Sequence, residues 1–100
     1  MTKKAPAPEH LSPRARQLWA ELVPSRADTA ERQVLLCTAL EDLDRIDEMR
    51  ELLKREGVLI VSARSRLPHT HPALKLEAEA RRRFLAAWRA LNLTHQDSFF

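Results

Sequence analysis

Glycine occurs once in this chain, at Gly57, and cysteine once, at Cys37. Loops that cradle a phosphate need several glycines, because backbone N–H groups must close on the anion without a Cβ in the way. Neither a Walker A loop nor a dinucleotide fingerprint can be written with Gly57 alone, and there is no Gly-x-Ser-x-Gly elbow. An independent nucleotide-using enzyme is thereby disfavoured, and the expectation is a protein that is not an enzyme. One thiol permits no internal disulfide and no cysteine-rich zinc cage, and it suits a reducing cytoplasm. No apolar run approaches the roughly 20 residues that cross a bilayer, so no membrane partner is expected. The opening MTKKAPAPEH has two lysines but lacks the apolar core of a signal peptide.

What is present has the composition of one small globular domain, 44% hydrophobic over 100 residues. The net charge of +3 is unevenly spread. Residues 1–25 hold four basic and two acidic side chains, residues 26–56 hold six and nine, and residues 57–100 hold seven and three. Basic ends therefore flank an acidic middle. Such asymmetry suits an anionic partner for the ends, or ends that meet the acidic middle of a neighbouring subunit.

Three divisions follow from the pattern: a flexible basic arm over 1–10, a helical domain over 11–93 and a flexible tail over 94–100. A first helix is expected over about residues 12–23, with Ser12 as cap, Pro13 in the first turn and Pro24 as stop. Leu18, Trp19, Leu22 and Val23 form its apolar stripe. A second, long helix opens on Asp28-Thr29-Ala30-Glu31, which has capping-box spacing with Asp28 accepting and Glu31 reaching back. Leu36, Leu40, Leu43, Ile46, Met49 and Leu53 then recur at steps of three or four until Gly57. At about 1.5 Å per residue this is a rod of roughly 43 Å, against a radius of gyration near 13 Å for a compact domain of this size. Such a rod should project beyond what one chain can cover. Val58 to Val61 and Arg64 to Thr70 read as a small β-hairpin. A third helix starts at Pro72 with His71 as cap, lined by Leu74, Ala78, Phe84, Leu85, Trp88 and Leu91. The fold class expected is mainly α: a helical hairpin with one long central helix, a short N-terminal helix and a small β-hairpin, assembling into a ring oligomer.

Ions fall on apolar faces of these helices. Asp47 and Arg50 lie in or beside the leucine sector of the long helix, and Arg81 lies between Leu74 and Trp88. Either the arginines lift their heads into water, or Arg81 pairs with Asp47, within one chain or across two, and sets helix register. His69 and His71 could ligate a metal from one side of an extended segment, but the usual third and fourth ligands are missing nearby. Capping of the Pro72 helix is the simpler role for His71, and no metal or cofactor is expected. Glu41, Asp42, Asp44, Glu48 and Glu51 alternate with arginines as on a solvated helix. Cys37 reads as a small buried hydrophobe. The basic groups with the potential to hold a phosphate backbone are Lys3, Lys4, Arg14, Arg16, Arg64, Arg66, Arg82 and Arg83. No base-reading side chains stand out among them, so salt-dependent backbone contact is expected.

The succession HLSPRARQLWAELV, ERQVLLCTALEDLDRIDEMRELLKREG, VLIVS and HPALKLEAEARRRFLAAWRALNL resembles a family of phage terminase small subunits. The likeness covers about residues 10–93 and rests chiefly on Leu11-Ser12-Pro13 with Trp19, on Gly57-Val58 and on His71-Pro72-Ala73-Leu74. It implies a non-catalytic component of a DNA-packaging motor in the host cell cytoplasm. Such a protein forms a ring of several copies, binds viral double-stranded DNA, and recruits and regulates a large subunit that holds the ATPase and nuclease. In that arrangement Leu36, Leu40, Leu43, Asp47, Arg50, Val58, Leu59, Ile60, Arg81 and Trp88 would meet neighbouring copies. Arg64 and Arg66 would face DNA, and Phe99 and Phe100 would dock into the large subunit. Two other readings stand beside it: a dimeric helix-turn-helix regulator, and a helical interaction module without DNA binding.

Overall fold

The computed structural model describes residues 5–61 and 67–93. It is mainly helical, with three helices and a two-stranded antiparallel hairpin. The order is α1 (Pro13–Leu22), α2 (Ala30–Glu56), β1 (Leu59–Val61), β2 (Pro68–Thr70) and α3 (Pro72–Ala90). The two long helices form an antiparallel pair. His71 sits beside Glu56, Arg50 beside Glu77, Arg83 beside Asp42 and Arg32 beside Leu91, so one number rises as the other falls.

Each helix boundary has a local cause. Ser12 caps α1, its hydroxyl accepting from the Ala15 amide at 3.1 Å, with Pro13 at the first helical position. The cap of α2 is Thr29, accepting from the Arg32 amide at 3.2 Å, and not Asp28. The expected capping box is thus out of register by one residue. Glu31 falls two positions past the true cap instead of three, so the reciprocal pairing cannot close. Gly57 ends α2 with φ 89° and ψ 158°, a backbone region essentially confined to glycine. His71 caps α3 through Nδ1, which accepts from Ala73 N at 3.0 Å. Its Nε2 meets Glu56 Oε1 at 2.8 Å, so in the neutral ring the proton lies on Nε2. Beyond α3, Asn92 adopts a left-handed φ of 63°. The Leu93 and Asn92 amides fold back onto the Trp88 and Arg89 carbonyls, a Schellman ending.

The core gathers at one end. Leu11, Ala15, Trp19, Val23, Ala27, Leu36, Leu40, Leu43, Leu91 and Leu93 are buried together there. Arg32 donates to the Leu91 carbonyl and Arg26 to the Asn92 carbonyl, which ties the C-terminal end of α3 to the start of α2. Cations at that end also complement the helix dipole. The segment over residues 5–10, expected as part of a loose arm, lies against α1. Trp19 Nε1 donates to the Ala5 carbonyl at 2.9 Å, and His10 meets Glu41 at 2.7 Å.

Away from the core, α2 and α3 run on together through small residues. Ala73, Ala80 and Ala87, seven apart, are buried along α3 and Ala39 along α2, and alanines let two helix backbones approach closely. The rod is therefore covered differently from the expectation. Its 27 residues are accompanied by α3 along their length, and by α1 as far as Asp47. A radius of gyration of 17.2 Å and extents of 62 × 32 × 21 Å record the elongation.

Candidate nucleic-acid interface

The expected contact residues divide into those consumed by the fold and those left outward. Leu36 and Leu40 have no exposed surface and Leu43 has 8%. They form the chain's own core and are closed to any neighbouring copy. Within the chain the pairing of Arg81 with Asp47 does not form. Asp47 accepts from Arg14 at 2.9 Å, while Arg81 and Arg50 both converge on Glu77, at 3.3 Å and 2.9 Å. Glu77 is buried, whereas the two arginine side chains keep about half their surface in water, at 49% and 58%. The alternative of lifted guanidinium heads therefore describes them better, with a buried carboxylate beneath. Asp47 lies too close to Arg14, delivered by α1, to be free for α3. Trp88 is half-buried and stacks on Phe84, ring centroids 4.9 Å apart. Asp42, expected on the solvated face, is buried; one oxygen meets Arg83 at 3.2 Å and Oδ2 has no hydrogen-bond partner among the described residues.

Of the expected phosphate-holding groups, Arg14 and Arg83 are thus already in ion pairs, with Asp47 and Asp42. Arg16 and Arg82 are exposed and in no ion pair with another described residue. Lys3, Lys4, Arg64, Arg66, Phe99 and Phe100 lie outside the described residues.

Arg82 has companions that the sequence reading overlooked. Lys75 and Arg89 stand seven residues before and after it on α3, all three exposed and none in an ion pair with another described residue. At 100° per residue they fall within about 40° of one another, about 10.5 Å apart along the axis. They lie opposite the buried Ala73–Ala80–Ala87 line. Glu79 borders this stripe and is half-buried. The signal was available in the spacing: a heptad of cations offset from a heptad of alanines. Reading the run Arg81-Arg82-Arg83 as a unit hid it, because successive residues point to three different sides of a helix.

The hairpin end supplies the other outward feature. Leu59, Ile60 and Val61 pair with Thr70, His69 and Pro68. Val58, Leu59, Val61 and Leu67 are 50%, 62%, 63% and 69% exposed. Ile60 is half-buried. His69 Nδ1 lies 3.3 Å from the Leu67 carbonyl, and both nitrogens of His71 are engaged in the cap and on Glu56. The two histidines are therefore not joined on a common ligand.

Burial first, and then the adjacent Glu41 carboxylate, push the Cys37 thiol above its ordinary value. Among the described residues no helix is long and apolar enough to cross a membrane. No protein-family model matches the chain, and no curated protein or solved structure gives a match to it.

Proposed function

We propose that this protein is a non-catalytic DNA-binding subunit of a phage packaging machine, a terminase small subunit. Its copies would hold viral double-stranded DNA in the host cytoplasm and recruit the large ATPase-nuclease subunit. The observation that carries this reading is the outward stripe Lys75–Arg82–Arg89 on α3, three exposed cations with no ion-pair partner among the described residues. Cations at regular axial spacing suit a phosphate backbone, a contact that needs no sequence readout. The order of the motifs around Leu11-Ser12-Pro13 and His71-Pro72-Ala73-Leu74 agrees with it. The exposed apolar side chains of the hairpin are the surface by which copies would join into a ring, with Val58 and Leu59 retained from the expected contacts and Val61 and Leu67 added.

A helix-turn-helix regulator is less well supported. Its recognition helix would be α2, whose outward residues over the first turns are Glu31, Val34, Thr38 and Glu41. Acidic and apolar side chains are poor company for a major groove. A helical interaction module without DNA binding is the reading that the exposed apolar side chains of the hairpin favour.

Fluorescence anisotropy of a labelled duplex tests the choice. Three neutralised phosphates per chain give a slope of about −2.7 in log affinity against log salt, so affinity should fall ~40-fold per chain between about 50 and 200 mM salt. Replacing Lys75, Arg82 and Arg89 together by glutamine should flatten that slope. Unchanged binding in the triple variant would overturn the DNA reading, and a lone monomer in native mass spectrometry would remove the ring.

A further inference from the structure

We propose that His10, Cys37 and Glu41 form a site for a zinc-class divalent cation. Cys37 and Glu41 are four residues apart and so share one face of α2. His10 reaches them from the segment before α1. His10 Nε2 lies 2.7 Å from Glu41 Oε2, Cys37 Sγ lies 3.7 Å from the same oxygen, and all three donor atoms fall within 4.8 Å of one another. Around a tetrahedral zinc at its usual bond lengths, donor atoms stand about 3.3–3.8 Å apart. The His10–Glu41 gap must therefore open by about half an ångström, and both side chains are exposed enough to do so.

The position of His10 is not left to chance. Leu11 is buried in the core, and Ser12 fastens to Asp44 twice, through its amide at 2.8 Å and its hydroxyl at 2.5 Å. Those two anchors hold the preceding residue one helical turn from Asp44, over Glu41.

The donor set selects the ion. A thiolate and an imidazole favour zinc, cobalt or copper, whereas calcium and magnesium require oxygen ligands. Three protein ligands on an exposed surface leave the fourth tetrahedral position to water, the arrangement of an open zinc site. The charges balance as well. On binding, the Cys37 thiol gives its proton to solvent and its sulfur bonds the metal. The thiolate and the Glu41 carboxylate then neutralise the 2+ ion while His10 binds as the neutral ring. Asp44 and Glu48, with Arg45, line a shallow cavity beside His10 and Glu41 and keep its potential suited to a cation. Glu41, which repels a bare Cys37 thiolate, becomes its co-ligand once the ion lies between them.

The site uses none of the α3 stripe, so it stands or falls separately from DNA binding. The test is a cobalt titration of the reduced, tag-free full chain. One equivalent of Co²⁺ should bring up a thiolate-to-cobalt charge-transfer band that Zn²⁺ removes by displacement. Zinc at one equivalent should also slow alkylation of Cys37. Cys37→Ser should abolish the band. His10→Gln and Glu41→Gln should each weaken cobalt binding by at least about tenfold, since losing even an outer-shell partner of a metal site has that effect. His69→Gln should leave it unchanged. His10 is exposed, so its variant keeps the fold and decides the matter if the Cys37 variant does not. Absence of a thiolate band, or a band whose affinity ignores His10 and Glu41, overturns the proposal.

Discussion

At one end of α2, Leu36 and Leu40 have no exposed surface, enclosed by α1 and the last turns of α3. At the other end Leu52 and Leu53 are only half-buried, α3 is the one helix beside them among the described residues, and the hairpin turns Val58, Leu59, Val61 and Leu67 outward. The same helix thus passes from a three-helix body into a two-helix stalk. α1 is responsible: it is ten residues long and begins at Pro13, level with Asp47, so it covers nothing of α2 beyond that point. Its polar contacts, His10 on Glu41, Ser12 on Asp44 and Arg14 on Asp47, follow one face of α2 and end there. The lesson concerns what holds each end. The body is held by apolar volume, whereas the stalk is held by alanine contact, a buried carboxylate under two arginines and a backbone conformation that glycine permits.

Core truncation should expose that contrast most sharply. Leu36→Ala should lower unfolding free energy by about 2–5 kcal/mol, as buried leucine truncations do, read from the urea midpoint. Leu59→Ser, on the exposed hairpin, should leave it within about 0.5 kcal/mol. Equal losses from the two would erase the distinction between body and stalk.

Next in size is Gly57→Ala. A Cβ there meets only the Leu59 carbonyl, at 3.8 Å, so space is not the obstacle. The positive φ is, and the strain should amount to about 1–3 kcal/mol. If alanine were tolerated without loss in thermal unfolding, the idea that backbone geometry governs the stalk would need replacing.

Asp42→Ala should have a smaller effect, less than about 1 kcal/mol in either direction. The substitution removes an orphaned buried oxygen, and Arg83 keeps 57% of its side-chain surface in water and can re-solvate. A loss of several kcal/mol in chemical denaturation would mean that the pair is a true anchor.

The smallest effect belongs to Cys37, at the edge of the body. Because its thiol is pushed upward, metal-free alkylation should rise with pH through a midpoint above that of an ordinary thiol. Removing the carboxylate in Glu41→Gln should lower that midpoint and speed the reaction at neutral pH, by less than about tenfold. Burial is the first cause of the shift and remains in place. A rate that ignores Glu41 would assign the whole shift to burial.

Elements with strong local chemistry were legible in the chain. Ser12-Pro13, Gly57 and His71-Pro72 each mark a boundary that the structure keeps, and the leucines of α2 were recognisable as an apolar stripe. The cap of α2 was misplaced by one residue, because Asp28 and Thr29 are both good acceptors and only the path of the chain decides between them. The seam of α3 was misread in favour of large side chains. Leu85 is exposed, while Ala73, Ala80 and Ala87 make the contact; alanine carries too little hydrophobic signal to announce a close approach. Among the functional candidates, Arg82 is exposed, whereas Lys75, Arg89 and the His10–Cys37–Glu41 cluster went unseen.

Local sequence alone determined that this protein is three helices and a short extended segment in that order, because caps, prolines and one glycine act within a turn of themselves. Which ions pair, which leucines face inward and which cations stay free was decided only in three dimensions. Arg14 against Asp47, Arg50 against Glu77 and Arg83 against Asp42 lie 27 to 41 residues apart in the chain. No local rule ranks such partners; the distance between two packed helices does.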